Sequence, residues 1–391
     1  MAYVRIPCKI LSSGLFLLFL LLQEHTLGQS LYYPGKTWAT TSPLAVGMDK
    51  ILLDSVVALA LRSENRVERD LRIANLKAYA REPEYTILGP MKERGAPAGL
   101  IIKNGYIVAQ WGDIERVDMT FSVTKSYLST VAGLAVDKGL IKDVNDPVNR
   151  YVWDGTFEGA HNEKVTWKHL LQQTSDWSGC QFGTCDWADR PPKEGTIDDW
   201  KNRPLADPGS KFEYNDTRVN LLAYSLLQVF RRPLPVVLKE HIMDPIGAST
   251  TWRWYGYDDA FVNVDGMMMQ TVSGGGHFGG GLFINTLDQA RFGLLFARNG
   301  KWKEHQLISS SWIAEAKQPG TVNPSYGYLW WTNEDNRFPG APKELFTAIG
   351  FGGNYIVIDQ AHDLVIVTRW MDDEKMADVV SYVLKAINAS K

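Results

Sequence analysis

The β-rich segments of this chain fall into two groups that lie far apart in the sequence. Residues 98–112, AGLIIKNGYIVAQWG, predict a β-hairpin because two apolar runs flank Asn104-Gly105, a strong signal for a tight turn. Near the C-terminus, the runs ELFTAIGFG, GNYIVID and DLVIVTRW predict further strands joined by short turns. If these strands share one antiparallel sheet, the chain between them must form an insertion.

Helical periodicity fills much of the remaining chain. It predicts helices at 49–80, 122–138, 165–173, 218–230, 287–297 and 375–387. The predicted fold class is α/β in the α+β sense, an antiparallel sheet flanked by N- and C-terminal helices with an inserted helical lobe. We assign about 29–120 and 275–391 to the α/β lobe and about 121–274 to the helical lobe. Ser122 lies at the boundary between the two lobes, and ligand-binding and active sites tend to form in the cleft between lobes.

The N-terminal residues have the features of a secretory signal. Basic residues precede the apolar run GLFLLFLLL (14–22), and small residues ending at Gly28 fit a signal-peptidase site. The run is shorter than the roughly 20 apolar residues that a membrane-spanning helix needs. We predict a signal peptide at 1–28, a single mature domain at 29–391, and a secreted or periplasmic protein with no stable membrane span after cleavage. An uncleaved membrane anchor is the alternative.

Charge and cysteine content exclude some partners. The formal net charge is -3 and the sequence has no basic run, which argues against nucleic acid as a partner. After signal cleavage, Cys180 and Cys185 remain, in CQFGTC. Export permits a disulfide between them, and two free thiols fit the sequence equally well. Cysteines without paired histidines do not form a zinc site, and we predict no metal.

Ser122 and Lys125 form the only Ser-x-x-Lys in the chain, within FSVTKSYLST. A helix places residues at this spacing on one face, so the ammonium lies one turn above the hydroxyl. If Ser122 begins the helix, its backbone N–H also points to where an oxyanion could form. Such a short motif also arises by chance, and two polar residues on an ordinary helix are the alternative.

A lysine beside a nucleophile needs a further group for proton transfer, because lysine is protonated at neutral pH unless burial or nearby positive charge opposes it. A tyrosine hydroxyl can relay the proton, and Tyr214 in KFEYNDTRVNLL offers one, with Asn215 and Asp216 as turn or helix-capping residues. A buried structural tyrosine is the alternative. In AIGFGGNYIVID, Gly350 and Gly352 let a substrate lie against a strand edge.

These motifs, in this order, resemble the class C β-lactamase-like serine hydrolases: Ser-x-x-Lys, then Tyr-Asn-Asp, then a glycine-rich strand start near the C-terminus. The stretches VTWKHLLQQTSDW (165–177), SGGGHFGGGLFINTLDQARFGLLFARNGKW (273–302) and YGYLWW (326–331) also resemble the family. The group includes penicillin-binding carboxypeptidases, esterases, D-amino-acid amidases and nylon-oligomer hydrolases. The resemblance covers nearly the whole mature chain and implies a β-lactamase-like fold.

The resemblance implies a role for each matching residue. Ser122 is the nucleophile, Lys125 accepts its proton or holds Tyr214 in a reactive state, and Tyr214 protonates the leaving group and later activates water. The backbone N–H groups of Ser122 and Phe351 form the oxyanion hole. The implied reaction is acylation of Ser122 followed by hydrolysis of the acyl-enzyme, with no metal or organic cofactor.

The second motif departs from the family pattern. The usual Tyr-x-Asn is Tyr214-Asn215-Asp216 here. An anion at Asp216 that faces Lys125 favours the charged form of the lysine, which argues against Lys125 as the base and favours Tyr214. We therefore hypothesise that Asp216, counted here among the substrate-binding groups, orients Lys125 as a permanent cation.

The third motif departs as well. The usual sequence is Lys or His, then Thr or Ser, then Gly, and here it is Ala348-Ile349-Gly350. The cation and the hydroxyl that grip a β-lactam carboxylate in the lactamases are absent. We therefore expect poor turnover of β-lactams and peptidoglycan.

The remaining substrate-binding assignments are two glycines and one aromatic residue. We place Gly350, Gly352 and Trp177 at the substrate, with Trp177 as one of the aromatic residues that could line an acyl or amide pocket. GGGHFG (274–279) matches a dinucleotide-binding pattern, but no βαβ unit surrounds it, so we interpret it as a flexible turn near the site. His277 within it is more often structural than a pocket residue.

The predicted function is hydrolysis of a small ester or amide by a serine hydrolase, with a small-molecule ester or amide as the partner and the oligomeric state left open. One alternative is a D-alanyl carboxypeptidase or β-lactamase that acts on peptidoglycan-like substrates. The other is a non-catalytic homologue that binds a ligand. Intact Ser122, Lys125 and Tyr214 favour an enzyme.

Overall fold

The computed structural model describes residues 1–3, 31–83 and 85–389. The apolar run and cleavage site of the expected signal peptide lie outside these residues, so cleavage and export stay predictions. Contacts divide the chain into Met1–Leu31 and Tyr32–Lys391, and every element below belongs to the second unit.

All strands of five or six residues belong to one central sheet. In chain order the strands are β1 Ala98–Lys103, β2 Tyr106–Trp111, β3 Asp118–Met119, β4 Cys180–Gln181, β5 Thr184–Cys185, β6 Arg253–Tyr255, β7 Phe261–Val264, β8 Met267–Gln270, β9 Gly281–Ile284, β10 Lys301–Trp302, β11 His305–Gln306, β12 Trp331–Thr332, β13 Phe346–Gly350, β14 Asn354–Asp359 and β15 Leu364–Arg369.

The helices surround that sheet and fill the middle of the chain. They are α1 Lys50–Arg62, α2 Leu71–Tyr79, α3 Thr124–Asp137, α4 Trp167–Leu171, α5 Ile197–Lys201, α6 Asp216–Phe230, α7 Leu234–Leu238, α8 Thr286–Ala297, α9 Ser310–Ala316 and α10 Met376–Asn388. In the described ranges no single helix is long and apolar enough to cross a membrane, although α6 and Leu234–Met243 together, bent by 74°, meet the length and composition of a span.

The central sheet has the order β12-β13-β14-β15-β1-β2, and every neighbouring pair is antiparallel. The N-terminal hairpin joins the C-terminal strands through β1 and β15, with Ala98 opposite Arg369. The turn of the hairpin has φ of 53° at Asn104 and 85° at Gly105, the pattern of a type I′ turn. The expected antiparallel sheet is thus confirmed.

Helices cover both faces of this sheet, which explains why its central strands are apolar throughout. On one face α1 and α10 pack together against residues such as Ile101 and Val357. On the other face α8 packs against β1, β14 and β15. Strands buried on both sides read as continuous apolar runs, as β14 and β15 do.

Several predicted elements differ from the structure. Segment 49–80 is two helices, α1 and α2, because residues 63–70 leave the helix and Asp70 caps a new one by accepting a hydrogen bond from the Arg72 N–H. The predicted helical lobe, about 121–274, also contains the strands β4 to β8, and β3 lies just before it. These strands have two to four residues each, too few to show a clear alternation in the sequence.

A disulfide joins Cys180 and Cys185 across the β4–β5 pair. The sequence fitted a disulfide and two free thiols equally well, and the structure has the disulfide. The bridge closes a small hairpin that directly precedes residues 186–190, a segment that contributes side chains to the site below.

Candidate active site

Ser122 lies in a single 3₁₀ turn, Phe121–Val123, that leads directly into helix α3. Phe121 has φ of 47°, in the left-handed region that costs energy for a residue with a side chain. Ser122 is half-buried, whereas the first two turns of α3 are buried completely. The nucleophile expected from the sequence therefore stands at the accessible end of a buried helix.

Lys125 is buried one helical turn further on and contacts both of its expected partners. Its Nζ lies 2.9 Å from Ser122 Oγ and 2.5 Å from Asp216 Oδ1. The side chains of Lys125 and Asp216 are each 2% exposed. A buried ammonium needs an opposite charge in contact with it, and Asp216 supplies one.

Asp216 begins helix α6, and Asn215 caps that helix by accepting a hydrogen bond from the Arg218 N–H. Burial alone would raise the pKa of the Asp216 carboxyl. Lys125, then Arg190 and His277, outweigh burial and hold that pKa well below its ordinary value. Asp216 is therefore an anion at neutral pH.

Tyr214 packs with its ring on the same ammonium. Lys125 Nζ lies 4.7 Å from the centroid of the Tyr214 ring, a cation–π distance. The ring also stacks on Trp331 and meets Tyr326 edge-on, with centroids 5.9 Å and 6.1 Å away. Among the described residues, no hydrogen bond joins the Tyr214 hydroxyl to Ser122 or Lys125. Tyr214 thus contacts Lys125 through the face of its ring and not through its hydroxyl.

Strand β13 runs past Ser122, where an oxyanion hole is expected. β12 pairs only with Phe346 and Thr347, so the later part of β13 faces the turn that carries Ser122. At Gly350 the approach is so close that a methyl group would overlap the Thr120 carbonyl oxygen and lie 3.3 Å from Ser122 N. Phe351 follows, and its ring packs on Phe121 at 5.1 Å.

Two of the expected substrate-binding residues lie away from this cluster. Gly352 has φ of 83° in the β13–β14 turn and packs on the ring of Trp370. Trp177 is 3% exposed, and its indole N–H donates to the Thr156 carbonyl at 2.9 Å. The described contacts bring neither residue to Ser122.

The structure adds four charged or titratable residues that the sequence had not assigned to catalysis: Glu82, Asp189, Arg190 and His277. Arg190 contacts Asp216 Oδ2 at 2.7 Å, Asp189 Oδ1 at 2.5 Å and His277 Nδ1 at 2.8 Å. His277 Nε2 lies 2.7 Å from Glu82 Oε2. These residues come from three distant places in the chain, at 82, 189–190 and 277, and share no local pattern, so only the three-dimensional fold brings them to notice.

Electrostatics of this cluster favour a neutral imidazole. Burial lowers the pKa of His277, and Arg190 lowers it further, although Glu82 opposes both. Burial raises the pKa of Asp189, and the charge of Asp216 adds to that effect, whereas Arg190 opposes it. A neutral His277 can accept a hydrogen bond from Arg190 at Nδ1 and donate one to Glu82 at Nε2.

The geometry of Glu82, Asp189 and His277 could by itself suggest a metal site. One ligand atom from each lies within 4.8 Å of the others. However, the Arg190 guanidinium contacts both Asp189 and His277. A cation already neutralises this group, which disfavours a metal ion here.

Gly275 closes the site over the buried ion pair. A methyl group at this position would overlap both Asp216 Oδ1 and Lys125 Nζ. The glycine-rich turn read from GGGHFG thus has a specific role, since it leaves room for the Lys125–Asp216 contact. His277 in the same turn belongs to the charged cluster.

Comparisons with known proteins bear on the family and the fold of this chain. The Beta-lactamase family profile matches residues 100–380. Similar solved structures include a family VIII carboxylesterase, with TM-score 0.57, 15% identity, and coverage of 90% of this chain and 99% of that chain. A penicillin-binding protein homologue from Caulobacter crescentus has TM-score 0.55 and 18% identity, covering 75% of this chain and 92% of that one.

A D-stereospecific amidohydrolase from Streptomyces sp. has TM-score 0.51 and 15% identity, covering 73% of this chain and 93% of that one. Comparison with curated proteins gave no match. At these identities the structural likeness establishes the fold, and the profile match, which spans most of the chain, establishes the family. The chain therefore has a β-lactamase-like fold and belongs to the β-lactamase family of serine hydrolases.

Proposed function

We propose that the protein cleaves a small ester or amide through an acyl-enzyme on Ser122. The observation that carries this proposal is the 2.9 Å contact between Lys125 Nζ and Ser122 Oγ at the accessible start of a buried helix. A nucleophile in hydrogen-bond contact with a group that a third residue orients is the general signature of covalent catalysis. The carboxylesterase and the amidohydrolase among the similar structures support the substrate class.

In the proposed acylation, Ser122 Oγ attacks the carbonyl carbon of the substrate. Asp216 pairs with Lys125, and Tyr214 acts as a proton relay. Its hydroxyl oxygen accepts the Ser122 proton while its own proton passes to the leaving alcohol or amine, as the bond from that group to the acyl carbon breaks. This step requires the Tyr214 hydroxyl to turn toward Ser122 when substrate binds. In deacylation, water attacks the acyl carbon and gives one proton to the Tyr214 oxygen, while the proton of the Tyr214 hydroxyl passes to Ser122 Oγ as the bond between Oγ and the acyl carbon breaks.

The oxyanion that forms during both steps would lie between the N–H groups of Ser122 and Phe351. The close approach of Gly350 to Ser122 N supports this assignment, because it brings the end of β13 to the start of the nucleophile turn. Backbone donors fixed in this way stabilise the charge without reorganising during the reaction.

The substrate is proposed to be uncharged near the scissile bond. Ala348 and Ile349 stand where the lactamases hold a cation and a hydroxyl, so β13 offers only backbone groups to the substrate. Half-buried aromatic residues, among them Tyr79, Trp331 and Phe351, surround the site and suit an apolar acyl group. Export through the N-terminal segment would place this reaction outside the cytoplasm.

Labelling of Ser122 tests the proposal directly. The purified mature protein, treated with a fluorophosphonate and digested for mass spectrometry, is expected to carry the probe on the peptide that contains Ser122. Ser122→Ala should remove the label, whereas Ser55→Ala, which removes an exposed serine of α1, should leave it in place. A parent protein that stays unlabelled would instead support a ligand-binding homologue.

We also predict poor turnover of β-lactams. On nitrocefin, kcat/KM is expected to be about 10- to 100-fold or more below that on the best p-nitrophenyl ester, because a charged hydrogen bond to the β-lactam carboxylate is worth roughly 1.5–3 kcal/mol. Side-by-side assays of nitrocefin, D-amino-acid amides, linear amide oligomers and p-nitrophenyl esters provide the measurement, with Ser122→Ala as the blank. Efficient nitrocefin hydrolysis would favour the β-lactamase or carboxypeptidase alternative.

A further inference from the structure

The side chain of Arg190 reaches the proposed site from behind the catalytic lysine. Its guanidinium contacts Asp216 Oδ2 at 2.7 Å, Asp189 Oδ1 at 2.5 Å and His277 Nδ1 at 2.8 Å. The same guanidinium lies 5.3 Å from the centroid of the Tyr214 ring. One planar group thus contacts the anion that holds the lysine and the ring that supplies the phenol.

The backbone at Arg190 is held in an unfavourable conformation. Its φ is 52°, in the left-handed region that residues with a side chain seldom adopt. The Arg190 N–H donates to Glu82 Oε1 at 3.2 Å, and Glu82 also contacts His277. Non-glycine residues kept in this region often mark functional sites, because the surrounding contacts must offset the strain.

The two oxygens of Asp216 connect Arg190 to the nucleophile. Oδ1 contacts Lys125 Nζ at 2.5 Å, and Oδ2 contacts Arg190. The Arg190 contact is an ion pair without hydrogen-bond geometry, and its attraction favours the orientation of the carboxylate that also brings Oδ1 to Lys125. The same orientation holds Lys125 Nζ, which lies 2.9 Å from Ser122 Oγ.

We propose that Arg190 is a positioning residue for the reaction at Ser122: it fixes Asp216, and through it Lys125, while it supports the ring of Tyr214. This inference rests on the proposed function and adds a residue to it. Asp189 assists by bonding Arg190 and by accepting the backbone N–H of Asp216. Lysine at this position would keep the charge but lacks the planar fork that reaches Asp216, Asp189 and His277 together.

Substitution of Arg190 separates this role from a general effect on folding. Arg190→Gln is expected to lower kcat about 100-fold with little change in KM, as for a misplacement of catalytic groups by about 1 Å. Arg190→Lys should recover part of the loss. Arg203→Gln is the matched control, since Arg203 is also partly buried and bridges two carboxylates, Asp176 and Asp186, without contacting Asp216.

The crystal structure of Arg190→Gln gives a readout that does not depend on turnover. We expect the Lys125 Nζ–Ser122 Oγ distance to exceed hydrogen-bond length; an unchanged 2.9 Å contact would overturn the inference. Parental kcat in Arg190→Gln, or an equal loss in Arg203→Gln, would overturn it too. If the glutamine variant does not fold, Arg190→Lys takes its place in both measurements. Failure of the proposed function shows separately, as a parent that the fluorophosphonate does not label.

Discussion

Gly275→Ala is expected to lower kcat/KM for any substrate of the protein by about 10²–10⁴-fold, the range that a positioned proton-transfer group contributes. The added methyl group would overlap Asp216 Oδ1 and Lys125 Nζ, which are in contact with each other in the structure. One of these side chains must move, and either movement displaces the ammonium from Ser122 Oγ. Steady-state kinetics on the best ester or amide substrate, together with the fluorophosphonate labelling rate, measure the effect.

The neighbouring glycine provides the control for overpacking. A methyl group at Gly274 would lie 2.5 Å from Val219 Cγ1, so Gly274→Ala also crowds the interior but does not touch the ion pair. Its cost should appear as reduced thermal stability of the order of 1–3 kcal/mol, with the labelling of Ser122 retained. If Gly274→Ala and Gly275→Ala lose activity to the same degree, the contact with the ion pair is not the reason for the effect.

Asp216→Asn is expected to have the second-largest effect, about 10²–10³-fold on kcat, with a displaced pH–rate profile. The amide keeps the shape of the side chain but removes the anion that contacts Lys125 Nζ, while Arg190 remains as a nearby cation. Because the site then loses a negative charge, its titratable groups should lose their protons at lower pH, and the pH–rate profile should move to lower pH. An unmoved profile would show that Asp216 does not set the charge state of the site.

The same substitution changes how stability depends on pH. The pKa of Asp216 is lower in the folded protein than in the unfolded chain, where it is about 3.9, so the ionised carboxylate stabilises the fold above about pH 4 and this contribution disappears as the pH falls toward the folded value. At pH 7, Asp216→Asn should lose roughly 3–5 kcal/mol, because it leaves a buried cation without its partner. Urea denaturation at pH 7 and pH 3 should show the difference shrinking in acid.

Asp186→Asn is the control for both measurements. Asp186 is buried to the same extent and pairs with Arg203 and Arg218, away from Lys125. Its substitution should reduce stability at neutral pH yet leave the pH–rate profile of the parent. Equal displacement of the two profiles would contradict a specific role for Asp216.

The parts of the site that follow from local geometry were predictable from the sequence. Ser122 and Lys125 meet because a helix brings residues at that spacing together, and the structure places them 2.9 Å apart. The β-hairpin followed from Asn104-Gly105, whose φ angles match the turn those residues favour. In each instance the determining interaction lies within a few residues along the chain.

The charged cluster behind Lys125 was not predictable on the same grounds. Glu82, Asp189, Arg190 and His277 meet only after the chain has folded, and an Asp-Arg pair in a loop is more often solvated than buried. Arg190 also has a positive φ, which the sequence does not indicate because the residue is neither glycine nor asparagine. For Trp177, its place in the loop-rich segment suggested a residue that lines the substrate pocket. In the structure its indole is buried, and the indole N–H donates to the Thr156 carbonyl.

The pairing of β1 with β15 has a consequence for how this protein forms in the cell. Ala98 lies opposite Arg369, so the central sheet cannot close until a ribosome has released nearly the entire polypeptide. Native contacts between residues so far apart in the sequence are slow to form. Until β15 is available, the apolar side chains of the β1–β2 hairpin stay exposed to solvent. Maturation is therefore expected to be post-translational, and a premature stop codon that removes β15 and α10 should yield an aggregation-prone product with no assembled nucleophile turn.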